Sequence, residues 1–334
     1  MDEWIKGLPK IDLHCHLDGS LSCETIRRLA AENGVSLPQD SGELERLLRA
    51  DDHCSSLAEY LKKFDLPLSC LTSRHAFAVA AQALVHDAAA ENVRYLEVRF
   101  APMLSVRHGF SARDAVEGVL EGLKQGTRET GTLSAAILCG MRHFPIEPNL
   151  EVVRIAKEYL GKGVCAVDIA RDEKSHPLTN HAQMFRLAAA LAVPFTIHAG
   201  ECGDPKEIAE ALKLGARRIG HGIAMCTRPD LLRRCAIKRV GIEMCPASNL
   251  QTKAVRDWAD YPFRLFLESG AMVTVNTDNR TVSGTTVTHE MTLLQEHCGA
   301  THDELRQVCR NAASVAFAPF EVRQSLLREI DQYQ

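Results

Sequence analysis

Four short segments carry residue types suited to metal-assisted chemistry. The first is His14-Cys-His16. Side chains alternate along a strand, so His14 and His16 would point the same way and form half of a metal site. The second is Phe195-Thr-Ile-His-Ala-Gly-Glu201, which offers His198 as a third nitrogen ligand and Glu201 three residues on, past a glycine. The third is Ile219-Gly-His-Gly222, where two glycines flank His221 and let other groups approach its backbone closely. The fourth is Val275-Asn-Thr-Asp-Asn279, where Asp278 closes an apolar run and can serve as an oxygen ligand to a hard or borderline cation. Each segment has an ordinary explanation when taken alone. The His-x-His pair fits a polar turn, Glu201 or Asp278 fits a helix cap, and His221 fits a satisfied core histidine.

Together the four are stronger. Three histidines and an aspartate suit zinc with an open position for water, and such an ion lowers the pKa of that water toward ~7. His221 could take the water's proton. Glu201 could protonate an electrophile if burial raised its pKa.

Something must bring these segments to one place. Short apolar runs alternate with longer helical patterns, the signature of βαβ units. The runs predict eight strands, over residues 11–17, 95–100, 134–138, 165–170, 195–199, 218–222, 241–245 and 272–277. Several are apolar nearly throughout, as parallel strands buried on both faces require. Helices fall between them. Ser111 is placed to cap residues 112–125, with Gly126 as the stop; Asn149 is placed before a helix over 150–160; Asp204 and Pro205 open one over 206–214, which Gly215 closes. The expected fold is α/β, a (β/α)8 TIM barrel formed by one domain over residues 1–334. Extra helices are inserted between strands 1 and 2, in the stretch from Leu21 to Asn92, and could form a lid over the mouth. The four segments then sit at the C-terminal ends of strands one, five, six and eight, where barrel active sites lie.

At this point the sequence resembles a known family. Pro9-Lys-Ile-Asp-Leu-His-Cys-His-Leu-Asp-Gly-Ser-Leu21 is similar to the N-terminal motif of adenosine deaminases, in the adenosine/AMP deaminase branch of the metallo-dependent hydrolases. Thr196-Ile-His-Ala-Gly-Glu201, Gly220-His-Gly222 and Asn276-Thr-Asp278 match three further motifs in order, and Cys245-Pro-Ala-Ser-Asn-Leu-Gln-Thr252 looks like the strand-seven segment. The resemblance implies that His14, His16, His198 and Asp278 bind one zinc ion. It implies that Glu201 donates a proton to purine N1 and that His221 deprotonates the water attacking C6, turning adenosine into inosine and ammonia in purine salvage. Asp18 matches the residue that hydrogen-bonds the ribose 5′-hydroxyl, and a carboxylate there would repel a 5′-phosphate.

Two positions depart from the pattern. The residue after the zinc-binding aspartate, often a second aspartate touching purine N7, is Asn279, whose amide N–H can still donate to N7. The strand-four motif usually carries a glycine whose N–H meets purine N3; here it reads Asp168-Ile-Ala-Arg171-Asp-Glu173. Arg171 either turns outward to pair with Asp172 or Glu173, or narrows the pocket, or meets an acidic group on the substrate. The last choice points to a modified adenine nucleoside, aminofutalosine-like or N6-substituted.

Composition narrows the rest. The net charge of −4 and an aromatic share of 5% give no general attraction to nucleic acid and no stacking platform for single strands. No stretch approaches the roughly 20 apolar residues of a membrane span, and the start has no apolar run behind a basic segment, so a secretory signal is not expected. Twelve scattered cysteines without a Cys-x-x-Cys pair read as free buried thiols in a reducing, cytoplasmic setting. Gly161-Lys-Gly163 precedes a strand rather than following one, so it reads as a helix stop. His302-Asp-Glu304 lacks the following Pro-Cys-x-x-Cys of cytidine-type deaminases. A binuclear hydrolase on the same fold would need a bridging lysine or glutamate from strand four, and that strand ends in Arg171. A non-catalytic nucleoside-binding barrel is the remaining rival, and Arg171 is its only support.

Overall fold

The structure, a computed structural model, describes residues 2–50, 54, 56–201 and 203–334. Among the described residues there are eight strands: β1 (Lys10–His16), β2 (Val93–Phe100), β3 (Leu133–Met141), β4 (Val164–Ala170), β5 (Thr196–Ala199), β6 (Arg218–His221), β7 (Gly241–Met244) and β8 (Met272–Val275). All neighbours pair in parallel, in the order β1-β2-β3-β4 and β5-β6-β7-β8. Two isolated parallel bridges join these sheets, Val167 with Phe195 at one seam and Cys15 with Asp278 at the other. The second seam is tight: the His16 N–H donates to Asp278 C=O at 2.6 Å and the Asp278 N–H donates to His14 C=O at 2.7 Å. This is the parallel α/β barrel arrangement that alternating runs and helices demand, and it brings the chain's first and last strands side by side. Among the described residues no helix is long and apolar enough to cross a membrane.

The helices follow the capping logic with two corrections. The helix after Ser111 does not stop at Gly126 but runs Ala112–Thr130 and ends at Gly131, whose φ is +80°. Gly118, Gly122 and Gly126 lie one turn apart along it and let it approach the Arg74–Ala90 helix. A Cβ on Gly122 would stand 2.1 Å from the Ala78 carbonyl oxygen, and one on Gly126 would stand 2.6 Å from Val85 Cβ. Nor is Asn149 a cap: its helix spans Ile146–Tyr159. Its buried side chain instead accepts from the Met141 N–H and donates to the Met141 C=O, at 2.9 and 3.0 Å, closing the end of β3.

The barrel interior is less apolar than the strand pattern suggests. Lys10, Asp12, Glu97, Arg99, Asp168, Arg218 and Glu243 lie within strands and are fully buried. Between β1 and β2 stand the Cys23–Asn33, Ser41–Leu48, Leu57–Leu61, Asp65–Cys70 and Arg74–Ala90 helices. Part of this insertion has its own small core, in which Ala50, Tyr60 and Phe64 pack with Val282 from the segment after β8. His302-Asp-Glu304 proves to be a helix start: Thr301 and Glu304 form a capping box, and His302 pairs with Asp2 at 2.7 Å.

Candidate active site

The C-terminal rim of the strands gathers the predicted residues. His14 and His16 leave β1 on one face, His198 lies in β5, His221 ends β6, and Asp278 follows β8. His14, His198, His221 and Asp278 are all buried, and each offers a ligand atom within 4.8 Å of the others. His16 completes a second, tighter set. Its Nε2 lies 3.2 Å from His198 Nε2 and 3.5 Å from Asp278 Oδ1, while His14 Nε2 lies 3.3 Å from the same oxygen. Four ligand atoms about 2.1 Å from one ion at tetrahedral angles stand roughly 3.4 Å apart, so this spacing fits zinc. His14 Nε2 is also buried without a hydrogen-bond partner, a cost that a bound cation would remove. Of the two sets, the one with His16 fits an ion better, because His221 is turned elsewhere: its Nδ1 lies 3.0 Å from the Asn249 amide and its Nε2 lies 3.8 Å from Glu201.

Backbone geometry holds these groups in place. His221 and Asp278 adopt left-handed φ values of +62° and +58°, which are uncommon for residues other than glycine and collect at functional sites. A Cβ on Gly220 would stand 3.2 Å from both His14 Cε1 and His198 Cα, so any side chain before His221 would press on both ligand histidines.

A layer of charged groups beneath the rim, which the strand reading passes over, orients the imidazoles. Glu243 Oε2 lies 2.8 Å from His14 Nδ1, and Asp168 Oδ2 lies 2.8 Å from His198 Nδ1. Arg99 bridges these two carboxylates at 2.6 and 2.9 Å, and Arg218 ties Glu243 to Glu97. Burial alone would push Asp168 and Glu243 toward the neutral acid. The cations and imidazoles around them outweigh it, and both carboxyls are held below the usual range. Asp278 is likewise held far below that range by His14, His16 and His221, against the effect of burial, and its Oδ2 accepts a 2.6 Å bond from the Ser248 hydroxyl. The missed signal was charge inside strands, for example Glu243 in Gly241-Ile-Glu-Met244.

Glu201 behaves oppositely. It is 8% exposed, and burial first, then the charges of Asp278 and Glu173, push its pKa well above the ordinary carboxyl value despite Arg142. His221 is driven well below the ordinary imidazole value by burial and by His14. A neutral acid and a neutral base thus face each other beside the cation-binding cluster.

The cavity above them is lined by His16, Asp18, Tyr60, Arg171, Glu201 and Asn279, with Leu57, Leu61 and Phe64 of the insertion along the same wall. The insertion therefore covers the mouth, as a lid would. Burial raises Asp18 to about 6, and its Oδ1 has no hydrogen-bond partner. A Cβ on Gly19 would stand 1.9 Å from Asn279 Oδ1, which explains the glycine after Asp18. Arg171 has a left-handed backbone, with φ +87°, a conformation that favours glycine. Among the described residues no ion pair links Arg171 to Asp172 or Glu173: the Asp172 carboxylate accepts from Ser175 and the Lys174 N–H, and Glu173 accepts from the Gly200 N–H. A larger groove at the opposite end of the strands, lined by Leu133, Val164, Val240 and Phe317, contains none of these residues.

A parallel α/β barrel with buried histidines and an aspartate converging on its C-terminal rim defines a metal-dependent hydrolase. The adenosine deaminase family profile matches residues 9–333. The chain is 42% identical over 328 residues to an adenosine deaminase of Enterococcus faecalis, covering 98% of this chain and 97% of that protein. It is 41% identical to an adenosine deaminase of Lacticaseibacillus casei, covering 97% and 96%. An adenine deaminase from Arthrobacter aurescens superposes with a TM-score of 0.90 at 27% identity, over 98% of this chain and 99% of the other. An N6-methyl-AMP deaminase from Arabidopsis thaliana gives 0.85 at 28% identity, over 98% of each. The chain belongs to the adenosine deaminase family.

Proposed function

We propose that this protein hydrolyses adenosine, and 2′-deoxyadenosine, to the inosine product and ammonia, a reaction of purine salvage. The relatives named adenosine deaminase support the substrate. The observation that carries the chemistry is Glu201, a carboxyl kept neutral by burial 3.8 Å from a neutral His221.

In this reading His14, His16, His198 and Asp278 hold one zinc ion, which when bound polarises water and lowers its pKa toward about 7. The chain supplies the rest. Glu201 keeps its proton until purine N1 is within reach and donates it there, which makes C6 electrophilic. His221 orients the water and takes the proton it loses as oxygen adds to C6. His221 then returns its proton to the amino group, the C6–N bond breaks and ammonia leaves, while the proton shed by the C6 hydroxyl as the carbonyl forms replaces the one Glu201 gave up. Asn279 donates its amide N–H to N7, and the Arg171 main-chain N–H faces N3. The unpartnered Oδ1 of Asp18 accepts from the ribose 5′-hydroxyl, a contact that a 5′-phosphate would turn into repulsion. Leu57, Leu61 and Phe64 exclude bulk water, which strengthens every electrostatic contact within.

Arg171 on the cavity wall favours a second reading, a modified adenine nucleoside bearing an acidic group. The test is the absorbance change as zinc-loaded protein acts on adenosine, followed by the same assay on N6-substituted and acidic analogues. Rapid turnover of adenosine, abolished by a chelator and restored by zinc, is the expected result. Turnover confined to an acidic analogue would transfer the assignment to the second reading. The buried thiols of Cys15, Cys139 and Cys245 support a reducing, cytoplasmic setting.

A further inference from the structure

Tyr60 belongs to the lid, yet its hydroxyl reaches the segment that follows β8. It lies 2.7 Å from Ser283 Oγ, with both side chains buried. Ser283 is a junction. Its N–H donates to the Asn279 carbonyl at 2.8 Å, and its own carbonyl accepts from Gln251 Nε2 at 3.1 Å. A second bond from the same lid, the Ala50 N–H to the Val282 carbonyl at 2.7 Å, lies beside it. The turn held in this way begins at Asp278 and Asn279, the oxygen ligand and the amide on the cavity wall. Tyr60, Asp278 and Asn279 all line that cavity.

A phenylalanine would fill the same space and pack equally well on Phe64. The hydroxyl therefore needs another account, because a buried phenol must find a partner or lose about 1–3 kcal/mol. Its partner here is the turn that carries Asn279 rather than anything within the lid.

We propose that Tyr60 is a positioning residue for purine recognition: its hydroxyl clamps Ser283 and so holds Asn279 against the five-membered ring of the substrate. The inference rests on the reading in which Asn279 meets purine N7. It ties base recognition to the seating of the Leu57–Leu61 helix, which carries Tyr60.

The probe is 7-deazaadenosine, which has carbon in place of N7. Two quantities are read for each variant: kcat/KM for adenosine and the competitive inhibition constant of 7-deazaadenosine. Tyr60→Phe should lower the first by about five- to tenfold, the size of one neutral hydrogen bond, and leave the second unchanged. Ser283→Ala should do the same, and the double variant should be no worse than either single one, because one clamp is lost in all three. Asn279→Ala is the control. If it lowers kcat/KM without changing inhibition while Tyr60→Phe changes neither or weakens both equally, the clamp is overturned and the Asn279 reading stands. If Asn279→Ala weakens both equally, the N7 reading itself fails, and the clamp falls with it.

Discussion

Glu201 shows what one carboxyl gains from its surroundings. The same side chain at the surface would be charged at neutral pH and useless as an acid. Here burial and the nearby charges of Asp278 and Glu173 keep the proton on. Glu201→Gln should retain metal and nucleoside binding and lose about 10²–10⁴-fold in kcat, because an amide cannot deliver the proton. Near-normal turnover in that variant would remove the acid assignment. The pH dependence has a definite sign. The acid form exists below the raised pKa of Glu201 and disappears as pH rises through it, so kcat/KM falls on the alkaline side. His221, lowered, must be neutral to accept a proton, so the acid-side fall lies below the ordinary imidazole value. A pH–rate profile with its alkaline fall near the ordinary carboxyl pKa would contradict this pairing.

At the level of elements, the rim residues stand where they do because strands end there, and the lid stands where it does because helices pack. The Arg74–Ala90 and Ala112–Thr130 helices touch backbone to backbone through Gly118, Gly122 and Gly126. Gly122→Val would drive a side chain into the Ala78 carbonyl. Overpacking of this kind costs about 1–3 kcal/mol, more than the gain in helix propensity over glycine. The expected outcome is a Tm lowered by several degrees with kcat unchanged, read by thermal unfolding and assay. An unchanged Tm would mean that the helices separate freely. Gly126 illustrates the limit of local reading. A glycine after an apolar stripe looks like a helix stop, and only the neighbouring helix, with Val85 against it, shows that it serves close approach instead.

The molecule as a whole is organised around a buried charge ladder. Glu97, Arg218, Glu243, Arg99 and Asp168 run beneath the rim, all fully buried. They end on the Nδ1 atoms of His14 and His198, which leaves the His14 Nε2 to face Asp278 and the His198 Nε2 to face His16. A second layer of this kind orients ligands and tunes their basicity. Arg99→Leu would leave two buried carboxylates without their shared cation. Breaking one side of such a network costs about 3–5 kcal/mol, and the loosened imidazoles should bind zinc about 10–100-fold more weakly. Metal content after dialysis and Tm with and without zinc check both parts. Full zinc retention with an unchanged Tm would mean that Glu243 and Asp168 hold the histidines without Arg99.

The sequence by itself determined the barrel, the strand positions to within a few residues, and the cluster of His14, His16, His198, Glu201, His221 and Asp278. Each of these is a local signal: a polar residue where an apolar run ends, at a spacing that the alternation of a strand turns into a direction. Resemblance to a family added the roles. Tertiary structure alone placed Arg171 on the cavity wall, since an exposed pair with Asp172 and a place on that wall demand the same residue. It alone revealed Arg99, Glu243 and Asp168 as one network, because a charge inside a strand has no meaning until the opposite strand is known. It alone joined Tyr60 to Ser283, 223 positions later. Contacts between distant segments depend on how the chain closes on itself, and no local pattern carries that information.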